Sequence, residues 1–355
     1  MFDNNQILNR AIAEKYPGAL WLPELAACLA LSGAELITGD VALHQVKTGQ
    51  LSPLNVWVIQ DDMSANADAL IELGAIPKVL LCAESPLFAA NFYRDLPTIS
   101  RYFEHCILFR GVLNDAQPLI AKHVLWFPSF LPEQISQPVP WSERKHLVMV
   151  AGNKYWKIHR TLWRSMIANM RDVIRPAPQR FSKAYASAQL HDLRLAVIAH
   201  FGTRSELDLF GNGWNDLGNL PSHWQKEVAG VIKNLLPRPC EDKRQVISRY
   251  KFAVCFENIE FPGYVTEKIL DSLVAGVIPV YWGAPDIADF VPEGCYVDAR
   301  QFVSLDALSQ YLQELPESQG LAIIERGQAF LRGEGASMFS YGSFAARIVQ
   351  MLITQ

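Results

Sequence analysis

The chain has 355 residues, and at roughly 150 residues per domain that length holds about two domains, which excludes a single small binding module. Half of the residues are apolar and 19% are charged, so a large core can be buried and a disordered chain is excluded. Thirty-two basic against 36 acidic residues leave a net charge of −4. No general attraction for nucleic acid or an anionic membrane follows, and any anionic ligand must be held by a local cluster.

Cys28, Cys82, Cys106, Cys240, Cys255 and Cys295 form no CxxC pair and show no metal-ligand spacing with histidine. They read as reduced, mostly buried thiols, which fits a cytoplasmic setting. The first residues lack a basic stretch followed by an apolar run, and no apolar run approaches the roughly 18 residues of a membrane span. A soluble protein with at most peripheral membrane contact is expected.

In the first part a helix is expected over 23–31, ended by Gly33, followed by the short strand Val56-Trp-Val-Ile59. A second helix over 65–73, closed by Gly74, leads into the strand-like Lys78-Val-Leu-Leu-Cys82. Cys106-Ile-Leu-Phe109 and His123-Val-Leu-Trp-Phe127 continue an alternation that argues for a parallel α/β sheet. Asp61-Asp62 closes the first strand and reads as a solvated strand end rather than a metal site. Residues 127–140 then carry four prolines, each restricting itself and its predecessor to extended backbone, as an inter-domain connection would. The expected division is a first domain over 1–133, a linker over 134–143 and a second domain over 144–355.

The second part opens with Leu147-Val-Met-Val-Ala151, the turn Gly152-Asn153 and a helix containing Arg160. Bases and aromatics interleave in Lys154-Tyr-Trp-Lys-Ile-His-Arg-Thr-Leu-Trp-Arg164, which reads as one amphipathic helix with an anion-facing edge. Glu206-Leu-Asp-Leu-Phe210 runs into Gly211-Asn-Gly-Trp214, a turn without the third glycine of a dinucleotide fingerprint. A helix over 241–250 precedes the clearest unit: strand Lys251-Phe-Ala-Val-Cys-Phe256, a loop to Thr266, a helix over 267–275, Gly276, and the strand Val277-Ile-Pro-Val-Tyr-Trp282.

Ligands of open α/β sheets gather beyond the carboxyl ends of strands, which marks the loop Glu257-Asn-Ile-Glu-Phe-Pro-Gly-Tyr-Val-Thr266 as a site. Lys268 falls in the first helical turn, where a cation opposes the helix dipole unless an anion is bound there. It is either a diphosphate ligand or a solvated lysine. Glu267 either accepts hydrogen bonds from sugar hydroxyls or complements the dipole, and Tyr264 is either a stacking platform or ordinary packing.

Phe256-Glu-Asn258, Gly263-Tyr-Val-Thr-Glu-Lys268 and Ile278-Pro-Val-Tyr-Trp-Gly-Ala-Pro285 closely resemble the C-terminal motif of the α-1,3/1,4-fucosyltransferases of glycosyltransferase family 10, especially its bacterial members. Looser likeness extends through Asp208-Leu-Phe-Gly-Asn-Gly-Trp214, Tyr250-Lys-Phe252, Tyr296-Val-Asp298 and the closing helix around Phe344, and Ala83-Glu-Ser-Pro86 is similar to an element of the family's first domain. The resemblance implies a GT-B fold of two Rossmann-like domains with a cleft between them. It implies inverting transfer of fucose from GDP-fucose to an acceptor oligosaccharide or glycolipid of lipopolysaccharide type, at the cytoplasmic side of the inner membrane. No cofactor is required on this view, manganese or magnesium being at most a stimulant. Position by position, Lys268 and Arg160 would neutralise the diphosphate, with Lys157 and His159 as alternatives to Arg160. Glu257, Asn258, Tyr264 and Glu267 would complete the donor site, and Glu84 would be the general base. Trp57 and Phe88 are the aromatic candidates for an acceptor platform. The rival readings are a same-fold transferase using another nucleotide sugar and a non-catalytic nucleotide- or carbohydrate-binding protein.

Overall fold

A computed structural model describes residues 4–113, 121–130, 133, 135, 138–155, 188–240 and 242–353. Arg160 and the rest of its expected helix lie outside the described residues, as do Lys157 and His159. The chain divides into two units, Met1–Leu131 with Ser337–Gln355, and Pro132–Ala336.

The first unit is built on a parallel sheet in the order β1-β2-β3-β4, with β1 at Trp57–Asp61, β2 at Ile76–Leu81, β3 at His105–Leu108 and β4 at Ala121–Val124. Val79, Leu80 and Leu81 are all buried, because helices cover both faces of a parallel sheet and its inner strands become continuous apolar runs. The β1–β2 register slips after Val58, which stands opposite Pro77, a residue with no N–H for the ladder. Helix Ala65–Glu72 follows β1, its Ser64 hydroxyl accepting from the Ala67 N–H at 3.3 Å as an N-cap.

Helix Tyr341–Ile353, expected within the second domain, belongs to the first unit. Phe344 packs edge-on against Trp21 at 5.4 Å between ring centroids, and Arg347 Nη1 donates to the Val124 carbonyl at 3.0 Å. Those partners lie more than two hundred residues earlier in the chain, so local pattern could not assign the helix.

The second unit contains β5 (Lys145–Val150), β6 (Leu207–Phe210), β7 (Tyr250–Phe256), β8 (Ile278–Trp282) and β9 (Val297–Asp298), all parallel, in the order β6-β5-β7-β8-β9. Strand order reverses between β5 and β7, the topological switch point outside which such sheets hold their ligands. Part of the expected linker is built into this unit: Trp141 is buried against the Phe252 ring, and Arg144 donates from Nε to the Val139 carbonyl and from Nη1 to the Gly276 carbonyl at 2.7 and 2.8 Å. Gly211 sits at φ +132° with a side-chain position only 2.2 Å from the Ala151 carbonyl oxygen, so only glycine lets β6 end against the end of β5. Trp214 Nε1 then donates to the same carbonyl at 2.7 Å.

Among the described residues, helices His191–Thr203, Ser222–Leu235, Leu305–Glu314 and Glu317–Arg332 of the second unit, and Gly39–Lys47 and Ala90–Ile99 of the first, were not expected from the sequence. Helix His191–Thr203 is buried over most of its circumference, which leaves no one-sided apolar stripe to detect.

Candidate active site

The loop between β7 and helix Glu267–Val274 is organised around a buried carboxylate. Glu257 is 0% exposed. Its Oε1 accepts from the Thr266 N–H and Thr266 Oγ1, both at 2.9 Å, and its Oε2 accepts from Lys268 Nζ at 2.8 Å. A buried carboxylate is tolerated only when paired and hydrogen-bonded, and here the Lys268 ammonium, the Thr266 N–H and the Thr266 hydroxyl meet that need. Glu257 therefore meets no ligand directly in this arrangement; it fixes Lys268. Tyr264 is 2% exposed and its hydroxyl accepts from Asn258 Nδ2 at 3.2 Å, so it packs under the loop and presents no open ring face. Asn258, Glu267 and Lys268 are half-buried and reach solvent.

Thr266 is the N-cap of helix Glu267–Val274, yet its hydroxyl is turned to Glu257 and caps nothing. The helix start therefore lacks the cap its N-cap residue would supply, at the positive end of the helix dipole. Lys268 Nζ bonds Glu257 Oε2 and Thr266 Oγ1, with Glu267 Oε1 at 3.5 Å, and its side chain is 20% exposed. Desolvation opposes its charge, but Glu257 and Glu267 outweigh it and hold its pKa above the ordinary lysine value. The Glu267 carboxyl, resisting the same desolvation, is pulled down to about 2 by Lys268 and Lys243.

Lys243 and Arg194 were not singled out from the sequence. Lys243 Nζ lies 2.7 Å from Asp271 Oδ2 and 4.0 Å from Glu267 Oε1, while Arg244 Nε holds the other Asp271 oxygen at 2.9 Å. Arg194, buried in helix His191–Thr203, donates to the Phe256 carbonyl and, at 3.1 Å, to Asn258 Oδ1, tying the end of β7 to the loop. A lone arginine inside Leu193-Arg-Leu-Ala-Val-Ile198 was the available signal. Four cationic side chains, Arg194, Lys243, Arg244 and Lys268, thus gather around three carboxylates, Glu257, Glu267 and Asp271, leaving a positive excess at an uncapped helix end. This arrangement can hold a phosphate or diphosphate.

Gly283 backs the carboxylate from the end of β8. A side chain there would place its first carbon 2.5 Å from both Glu257 Cγ and Tyr281 Oη. Gly283→Ala is expected to lower the thermal midpoint, overpacking costing about 1–3 kcal/mol, and to weaken diphosphate binding through displaced Glu257 and Lys268. Calorimetric titration beside a thermal melt checks this, and a stable variant with wild-type affinity would show that the packing of Glu257 does not set the position of Lys268.

In the first unit Glu84 follows β2 with an exposed residue position, its backbone carbonyl held by Tyr93 Oη at 2.9 Å. Asp61 ends the neighbouring β1, also exposed. Crowding at the strand ends, then the charges of Asp62 and Glu84, raise the Asp61 carboxyl above the ordinary range, with the Ala83 N–H pulling the other way. Access to water makes the shift smaller than a sealed group would show. A raised carboxyl costs stability once it ionises, so the cost is absent in acid and grows as pH rises through its folded pKa. Asp61→Asn is therefore expected to melt above the wild type at pH 8 and to converge with it at pH 4; equal gaps at both values would contradict the shift.

Among the described residues no cluster of three or more His, Cys, Asp or Glu side chains is arranged to hold a metal ion. Among the same residues no helix is long and apolar enough to cross a membrane.

Residues 186–321 match the model of the glycosyltransferase family 10 (fucosyltransferase) C-terminal domain, which spans β6–β9 and the loop just described. The second unit carries a family 10 glycosyltransferase domain. An alpha-(1,3)-fucosyltransferase of Helicobacter pylori is 40% identical over 87 residues, 24% of this chain and 18% of that protein. An alpha-(1,4)-fucosyltransferase of Arabidopsis thaliana is 33% identical over 118 residues, 32% of this chain and 29% of that one. The chain thus aligns with less than a third of the length of either relative. In fold, the glycosyltransferase WaaG, involved in lipopolysaccharide biosynthesis, matches with a TM-score of 0.54 at 13% identity, covering 94% of this chain and 95% of that one. A trehalose 6-phosphate synthase from Burkholderia multivorans matches at 0.53 and 12% identity, over 90% and 78%. The family 10 domain and the four-stranded unit together have the GT-B class of fold, two Rossmann-like units.

Proposed function

We propose that the protein is an inverting fucosyltransferase that moves L-fucose from GDP-fucose to a hydroxyl of an acceptor glycan, in α-1,3 or α-1,4 linkage. The observation that carries this reading is Lys268, fixed by Glu257 at an uncapped helix end with surplus positive charge, inside the family 10 domain. Departure of GDP needs its developing charge neutralised, and Lys268 with the first-turn N–H groups supplies that, Arg160 joining them in the proposal. Glu267, kept ionised between two lysines, accepts hydrogen bonds from sugar hydroxyls. Inversion needs one base to take the acceptor proton as the new bond forms, and the exposed Glu84 at a strand end is assigned that role. The reading includes no required cofactor, a surface glycan of lipopolysaccharide type as acceptor, and a cytoplasmic site of action.

The test is calorimetric binding of GDP, UDP, CMP and dTDP without added metal, followed by turnover with GDP-fucose and GDP-mannose. Selective GDP binding with turnover of GDP-fucose supports the reading. Preference for UDP or dTDP, or for GDP-mannose, moves the donor to another nucleotide sugar, and GDP binding without turnover of either donor makes the protein a binder.

A further inference from the structure

A cavity of about 570 Å³ lies along the open edge of the first sheet. Its size is that of a small-molecule site, ordinarily about 300–1,000 Å³. Val56 and the whole of β1 line it, together with the 34–37 segment and apolar side chains such as Leu29, Ala42, Ala67 and Leu352. β1 is an edge strand: the Val56 carbonyl and the Asp62 N–H bond β2, which turns the peptide groups of Trp57, Ile59 and Asp61 the other way.

Gln60 lines the same cavity and is 2% exposed. Its Nε2 donates to the Asp62 carbonyl at 3.0 Å, while its Oε1 has no partner among the described residues. A buried amide oxygen without a donor is costly, and a ligand hydroxyl or N–H would relieve it. The cavity also has two chemically different ends. At the carboxyl end of β1 stands Asp61, whose carboxyl feels the charge of Glu84. At the amino end stands Trp57, 45% exposed with Lys78 Nζ 5.3 Å from its ring centroid. Hydrogen-bond acceptors meet one end of a ligand and apolar surface the other.

We propose that this cavity receives an amphipathic glycoconjugate, its sugar hydroxyls at the Asp61 end beside Glu84 and its apolar chain along β1 toward Trp57. The assignment rests on the fucosyltransferase reading and narrows its acceptor from glycans in general to sugars carrying an apolar chain.

The experiment titrates n-octyl and methyl β-D-galactopyranoside, the former below its micelle concentration, into the wild type, Ala67→Leu and Ala42→Leu, with GDP titrated into the same samples. Both alanines are buried and line the cavity, so leucine fills it from two different helices. The octyl glycoside is expected to bind at least about tenfold more tightly than the methyl one, with the preference lost in both variants and GDP affinity unchanged. Equal affinity for the two glycosides, binding of neither, or an octyl preference that survives both fillings overturns the proposal. Octyl preference in a protein that ignores GDP keeps the cavity assignment and removes the donor reading, while GDP binding without octyl preference does the reverse.

Discussion

Lys268→Ala is expected to lose GDP affinity about ten- to hundredfold, the loss of a charge-assisted contact to phosphate, and to lose stability as well. The second effect follows from Glu257, which is wholly buried and among the described residues draws its one ammonium partner from Lys268. Removing one member of a buried pair costs about 3–5 kcal/mol because the other charge stays behind, and the partial exposure of Lys268 puts this site at the lower end. The two effects separate in the double variant Lys268→Ala with Glu257→Gln. An amide at 257 still accepts from the Thr266 N–H and hydroxyl, so much of the stability returns while GDP binding stays weak. Titration and thermal melts on the three proteins decide it: wild-type GDP affinity in the double variant would make Lys268 a structural counter-ion only.

Glu84→Gln is expected to slow transfer about a hundred- to ten-thousandfold, the usual contribution of a general base, with GDP affinity unchanged. The exposed position predicts a stability change within about 0.5 kcal/mol, so lost turnover would not reflect misfolding. The measurement is turnover of GDP-fucose with a glycan acceptor beside GDP titration of the same preparation. Full turnover in the variant would move the base elsewhere, and Asp61 at the end of the adjacent strand would be the next residue to replace.

The strands were legible because parallel sheets covered on both faces demand short runs such as Val79-Leu-Leu81 and Phe252-Ala-Val-Cys-Phe256, bounded by breakers. The strand, loop and helix holding Lys268 were legible for the same reason, with Gly276 stopping the helix at φ +65°. The division of roles inside the loop was not. Glu257 and Glu267 are both glutamates near a helix start, and spacing says nothing of which one is sealed under Gly283 and which faces solvent. Lys243 entered the cluster through a contact with Asp271 that spans 28 positions. Arg194 lay in a helix whose apolar residues occur all round, so neither its element nor its inward direction showed in the pattern.

The return of Tyr341–Ile353 to the first unit sets an order of assembly. During synthesis the second unit, a continuous stretch of chain, is available to fold as soon as it has emerged. The first unit waits with the surface around Trp21 uncovered until Phe344 arrives, roughly ten seconds or more later at about 5–20 residues per second. The second unit is therefore built first and the first unit completed last, and the interval in which the apolar face of helix Trp21–Leu31 lacks its partner is the stage at which this chain is most exposed to aggregation.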